Sequence, residues 1–207
     1  VLQNWQTPRK NIGSSINVAN TSLAGRKIFA YIGNMGIAQG MDIFIDLAEQ
    51  LNNNEDLGFL FVGRGSEVLR LKASIKELSL SNILFFDEID PQEIPGLLEQ
   101  CHIGLLALDP RHTTHNIPGK FLTYILASLP VLARVNAGTD LAHLIEEESV
   151  GKVYVGDSVE ELKTLAEEII YNQKPYKYMV SRGQYLAKKM FSSKTAVMQI
   201  INTIKYN

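Results

Sequence analysis

Lys27-Ile28-Phe29-Ala30-Tyr31-Ile32-Gly33-Asn34-Met35-Gly36-Ile37-Ala38-Gln39-Gly40 is the stretch that decides how this chain folds. An apolar run rich in β-branched and aromatic residues enters a loop with three glycines. The run does not alternate with polar residues, as expected of a strand buried on both faces. Similar runs recur at residues 59–62, 83–86, 103–108, 130–133 and 151–155. Between them the period becomes helical. Phe44, Leu47, Ala48 and Leu51 share one face, as do Val68, Leu71, Ile75 and Leu78. Leu162, Leu165, Ala166, Ile169 and Ile170 make the clearest stripe. Strands alternating with helices imply βαβ units. The expected fold is α/β, a Rossmann-like parallel sheet of about six strands with helices on both faces.

Ser158 and Glu161 form a capping box at the start of one helix. Asp90, Pro91 and Glu93 signal another start, with proline at the first helical position. Pro95 conflicts with a regular helix there, so a short or bent helix up to Gln100 is expected. Residues 1–26 hold many polar and turn residues without a sustained period. They read as an interdomain linker or loosely packed lead-in. Residues 27–172 form the sheet domain. Residues 173–207 read as helices without strands, punctuated by Pro175 and Gly183, with a last helix from about Ser193 to Lys205.

The 207 residues are 45% hydrophobic and 20% charged, too apolar for a disordered chain. Lysine and arginine number 20 against 22 acidic residues, so nothing draws the chain toward nucleic acid over a distance. No stretch nears the about 18 apolar residues of a membrane helix. Cys101 is the single cysteine, which excludes an intrachain disulfide and fits a reducing, cytoplasmic compartment. The chain starts at Val1 without leader features, and reads as a piece of something longer.

In an open parallel sheet, ligands gather outside the carboxyl ends of the strands. The loop after the first strand carries Gly33, Asn34, Gly36 and Gln39. It is either a phosphate-approaching loop or a tight strand-to-helix turn. It lacks G-x-G-x-x-G, which argues against NAD. After the second strand, Gly63 and Gly65 flank Arg64, a cation suited to a diphosphate or else a solvated turn residue. Glu88 follows the third strand, where the backbone would read a base edge. Asp90 reads as a capping group.

After the fourth strand comes Asp109-Pro110-Arg111-His112-Thr113-Thr114-His115-Asn116-Ile117-Pro118-Gly119-Lys120, long and polar, leading into a helix over 121–128. Loops of this length are commonly functional. Lys120 sits in a first helical turn, where a cation opposes the dipole. That local cost favours a ligand role for it. Its neighbours His115, Asn116, Ile117, Pro118 and Gly119 join the candidate set. His112 and His115 have no spaced acidic or cysteine partner, so no metal site is expected. His102, His143 and Cys101 read as structural. After the fifth strand, Gly138 opens a turn that either touches a ligand or merely caps a helix.

Together these segments resemble the C-terminal half of GT-B glycosyltransferases, in the retaining family 4 (group 1). The carriers are Tyr31-Ile32-Gly33-Asn34-Met35-Gly36, Phe61-Val62-Gly63-Arg64-Gly65, Pro118-Gly119-Lys120-Phe121-Leu122-Thr123-Tyr124 and Ala127-Ser128-Leu129-Pro130-Val131-Leu132-Ala133. The wording is similar to bacterial O-antigen and capsule enzymes, with L-fucosamine transferases the nearest kind. The resemblance implies one half of a GT-B fold that binds a nucleotide-sugar, most often UDP-linked, without a metal or other cofactor. It implies a lipid-linked saccharide acceptor, met mainly by an absent N-terminal domain at the inner membrane face. The last helices would pack back toward that domain.

Family members commonly carry an arginine and a lysine where this chain has Asn34 and Gln39. Arg64 and Lys120 would supply the missing charge, and these are the expected catalytic residues. A spaced pair of glutamates in the family falls at His115 and Thr123, where Thr123 retains a single bond to a ribose. Two other readings stand beside the transferase: a non-catalytic nucleotide-sugar-binding module, and a UDP-sugar epimerase of GT-B architecture. The late loop lacks the carboxylates an epimerase needs.

Overall fold

Strands β1 (Lys27–Ile32), β2 (Leu57–Val62), β3 (Ile83–Phe86), β4 (Ile103–Ala107), β5 (Val131–Arg134) and β6 (Gly151–Tyr154) form one sheet. All five pairings are parallel, in the order β3-β2-β1-β4-β5-β6. The chain turns back on itself beside β1, so the topological switch lies between β1 and β4. The structure is a computed structural model and describes residues 11–109, 117–191, 195, 197, 198, 200 and 201.

Helices cover both faces, as a doubly buried sheet requires. α1 (Asp42–Gln50), α2 (Val68–Glu77) and α6 (Val159–Tyr171) join one core layer through Phe44, Leu47, Leu71, Leu162 and Ile169. α3 (Ile94–Leu98), α4 (Gly119–Leu126) and α5 (Asp140–Glu147) join the other through Leu97, Phe121, Ile125, Leu141 and Ile145. α7 (Gln173–Met190) joins both, with Met179 in the first layer and Leu186 and Ala187 in the second.

The differences from expectation have local causes. β2 starts earlier, at Leu57, because Gly58 hides the apolar pattern there. A Cβ on Gly58 would stand 3.0 Å from the buried Leu23 side chain. β5 starts at Val131, since Pro130 has no N–H to donate, although its carbonyl accepts from Gly104 at 2.9 Å. α3 starts only at Ile94. Asp90 Oδ1 accepts the Gln92 N–H at 2.8 Å, and this turn uses up residues 91–93. Pro95 then falls in the first helical turn, where no N–H is needed. Pro175 and Gly183 do not interrupt α7. Pro175 lies in its first turn, and Gly183 lies against Ile125 of α4.

Residues 11–26 are not loosely packed. Ile16, Val18 and Leu23 are buried. The Gln100 side chain accepts from Val18 N at 2.8 Å and donates to Ile16 O at 2.9 Å. Gly96 admits the lead-in, because a Cβ there would meet the Gly13 backbone at 2.5 Å. Such single-residue anchors leave no period to read. Half of the Ser158 capping box forms: its hydroxyl accepts from Glu161 N at 3.4 Å, while the Ser158 N–H donates to the Tyr154 hydroxyl and not to Glu161. The expected helix near residues 193–205 is described only in part.

A buried tyrosine marks the switch point. β1 and β4 pair only at Phe29↔Ile103 and Ala30↔Gly104. Beyond that, Ile32 donates its N–H to the Tyr124 hydroxyl at 3.0 Å. Gly104 makes room, since a Cβ there would lie 2.4 Å from the Tyr124 ring. Tyr124→Phe leaves that buried N–H without its acceptor. We expect a loss of about 1–3 kcal/mol, read as a lower urea midpoint at unchanged slope.

Candidate functional site

The loop after β1 and the loop after β2 are stacked backbone on backbone. A Cβ on Gly63 would stand 2.0 Å from Gly33 O, and one on Gly65 2.2 Å from Met35 O. Gly63 and Gly65 have φ of +151° and +152°. Main-chain bonds join the loops: Gly33 N to Val62 O at 2.8 Å, and Met35 N to Arg64 O at 2.7 Å. The glycines thus let the two backbones meet in a ledge at the carboxyl ends of β1 and β2.

Lys120 reaches this ledge from the first turn of α4. Its Nζ donates to Asn34 O at 3.1 Å and also bonds the Tyr31 hydroxyl. It stands 3.7 Å from the centre of the Tyr31 ring. Its Cε passes 3.4 Å from where a Gly33 Cβ would be. Burial pushes the ammonium down to about 7. The α4 N-terminus adds to that cost. A cation, a stacked amide ledge and a helix N-terminus therefore meet at the switch point. An anion placed there would relieve the lysine and meet the α4 N-terminus.

The other expected residues divide. Arg64 is exposed and pairs with Glu88 at 3.2 Å. Both side chains are solvated, so the pair adds under about 1 kcal/mol to stability and leaves Arg64 able to exchange partners. Gln39 fastens its own loop: its Oε1 accepts from Asn34 Nδ2 at 3.0 Å and from Gly36 N at 2.8 Å. Thr123 donates its hydroxyl to Gly119 O at 3.1 Å, one turn back in α4. Gly138 has φ of +72° with open space around it, in a turn where Thr139 Oγ1 caps α5 by accepting from Ala142 N at 3.2 Å. Pro118 is the α4 N-cap and Gly119 its first residue, with Ile117 just before. His112, His115 and Asn116 lie outside the described residues.

Two residues that matter here were absent from the sequence reading of the site. Tyr31 is fully buried, yet its hydroxyl donates to Asn34 O at 2.8 Å. A tyrosine in an otherwise apolar strand needs a partner for its hydroxyl, and that was the available signal. Arg134 is 6% exposed and ties three strand ends together. It donates to Leu108 O at 2.8 Å and Gly156 O at 3.3 Å, and pairs with Asp157 at 2.5 Å. Asp109 N bonds Ala38 O at 2.9 Å, so the loop after β4 departs from a fixed point.

Of the residues expected to be structural, His102 and Cys101 are so, while His143 is exposed on α5. His102 Nδ1 accepts from Ile28 N at 3.0 Å, and burial lowers its basicity. Cys101 is buried, with its thiol pushed up to about 12. Among the described residues, no acidic, histidine or cysteine cluster is placed to hold a metal, and no helix is long and apolar enough to cross a membrane. A cavity of about 600 Å³ lies between α3 and α4. Of the expected site residues only Thr123 lines it, so it is not the Lys120 ledge.

Residues 16–185 match the family described as Glycosyl transferases group 1. The probable glycosyltransferase WbjE of Pseudomonas aeruginosa is 28% identical over 127 residues, covering 61% of this chain and 32% of that protein. The putative colanic acid biosynthesis glycosyl transferase WcaI of Escherichia coli K12 is 29% identical over 121 residues, covering 58% and 30%. Among solved structures, Anabaena Alr3699/HepE in complex with UDP and glucose superposes with a TM-score of 0.74 at 20% identity, covering 89% of this chain and 50% of that one. The fold is that of GT-B glycosyltransferases. The chain spans about a third of the length of the two curated relatives. A match running from the lead-in through most of α7 places this chain in the group 1 glycosyl transferase family.

Proposed function

We propose that this chain is the donor-binding half of a glycosyltransferase that moves a sugar from a UDP-sugar to a lipid-linked saccharide. The sugar in this reading is an N-acetylated amino sugar, and the product a bacterial surface polysaccharide such as an O-antigen or capsule. An L-fucosamine transferase is the finer form of the proposal. The observation that carries it is the Lys120 ammonium held against the Gly33–Asn34 backbone at the switch point. The UDP in the HepE complex and the names of WbjE and WcaI support the same reading.

The chemistry follows from where charge develops. Breaking the anomeric C–O bond leaves an oxocarbenium-like sugar and an anionic nucleotide diphosphate. Lys120 and the α4 N-terminus stabilise that leaving charge, with Arg64 joining when it releases Glu88. No metal is needed in this scheme. In this reading the acceptor binds mainly to the other half of the protein, and the reaction runs in the cytoplasm at the inner membrane face. Thr123, bonded to its own helix in place of a carboxylate, favours one second reading, a nucleotide-sugar-binding module without catalysis.

Calorimetric titration of the 207-residue chain with UDP, GDP and NAD tests the donor reading. We expect UDP to bind without metal and NAD not to bind. Absence of UDP binding would remove it. Transfer assays then separate transferase from binding module. The isolated chain should show no transfer, and the full-length parent should transfer to a lipid-linked acceptor.

A further inference from the structure

We propose that Tyr31 is the positioning residue that fixes where the Lys120 ammonium stands at the mouth of the ledge. This rests on the donor-binding reading above for its purpose, though not for its geometry. Three polar atoms close a triangle: Tyr31 hydroxyl, Asn34 carbonyl oxygen and Lys120 Nζ. The hydroxyl donates to the carbonyl, so its lone pairs are left for the ammonium. The ring adds a second hold on the same cation, 3.7 Å from its centroid. Tyr31 is itself fully buried and part of β1, so it cannot follow the lysine if the lysine moves. Its ring meets Phe61 edge-on at 6.2 Å between centroids, which fixes the ring plane.

The lysine stem is flexible and would otherwise sample many rotamers. Gly33 leaves a channel for the stem, and Tyr31 closes the end of it. When a diphosphate arrives, Nζ exchanges the Asn34 carbonyl for a phosphate oxygen and keeps the ring beneath it. Tyr31 touches no substrate in this arrangement. It acts through Lys120, and spares the donor the work of ordering that side chain. The titratable groups beside the ammonium are phenols: Tyr31 on β1, with Tyr124 of α4 behind it. Burial holds both phenols above their usual range, so neither supplies a negative charge.

The test is a double-mutant cycle read by UDP titration, with Tyr31→Phe, Lys120→Met and the pair. Tyr31→Phe keeps the ring and removes the hydroxyl. We expect it to weaken UDP binding about fivefold in the presence of Lys120, and to change nothing in the Lys120→Met background. Effects that simply multiply would overturn the proposal, because a merely structural tyrosine acts whatever stands at residue 120. Circular dichroism checks that each variant is folded. A second readout does not depend on UDP. Reductive ¹³C-methylation makes Lys120 visible by NMR, and its titration midpoint should shift in Tyr31→Phe. If wild type binds no UDP, the donor reading fails, and this shift alone decides whether Tyr31 holds the ammonium. An unmoved midpoint then overturns the placement as well.

Discussion

Gly63→Ala should strip the chain of a large share of its stability. The new methyl would lie 2.0 Å from Gly33 O and 2.8 Å from Gly33 C. Both are backbone, so no side-chain rotation relieves the clash. The φ of +151° adds strain for any L side chain. Relief requires parting the loops, which breaks the Gly33–Val62 and Met35–Arg64 main-chain bonds. We expect a loss of about 4 kcal/mol or more, against a total stability of roughly 5–15 kcal/mol. Gly138→Ala is the control. Its φ of +72° is also left-handed, but nothing lies within 4 Å of the added carbon. It should cost about 1–2 kcal/mol. Urea unfolding of the two variants side by side decides the matter. Equal losses would show that the loops are not stacked.

Lys120→Met should weaken UDP binding about 10–100-fold, the worth of one charge-assisted hydrogen bond. The pH dependence is more telling. Burial holds the free ammonium near about 7, and a bound diphosphate favours its charged form. Binding above neutral pH therefore takes up a proton, and affinity should fall as pH rises from about 7 to about 9. The terminal phosphate of UDP has lost its last proton by then, so it does not confuse the trend. Lys120→Arg stays charged throughout and should bind with a flat profile. Stability has its own sign. The folded pKa lies below the unfolded one, so the unfolded chain holds the proton more tightly. The neutral amine suits the fold, and that contribution fades as pH falls from about 10 toward about 7. Lys120→Met should remove this slope. A UDP affinity that is level from neutral to alkaline pH in wild type would take Lys120 out of the site.

The sheet was legible because its strands are buried on both faces and so appear as unbroken apolar runs. The helix caps were legible where, as at Ser158, donor and acceptor lie within one turn. Strand ends blurred at Gly58 and Pro130, where a glycine or an imino acid serves a neighbour far along the chain. The site was legible in part for the same reason. Glycines at 33, 63 and 65 announced a special backbone, but not that one loop needs the other. Lys120 announced itself by opposing its own helix dipole. Its hold on Tyr31 spans most of the domain and leaves no local trace. Asn34 and Gln39 were expected to face a ligand, and their side chains bond each other across one turn. Arg134 looked like the end of an ordinary strand, and its role depends on Leu108 and Gly156 arriving beside it.

The two loops of the ledge meet through main chain, and this bears on how such a protein diversifies. Glycines let the two loops stack, so the floor of the site makes no demand on the side chain at residue 64. The Lys120 bond uses the Asn34 carbonyl, which every amino acid provides. Descendants of one ancestor can therefore exchange the residues that read a ligand while inheriting the same floor. Residue 64 is such a position: its carbonyl holds Met35 in the floor, while its side chain stands exposed at the rim.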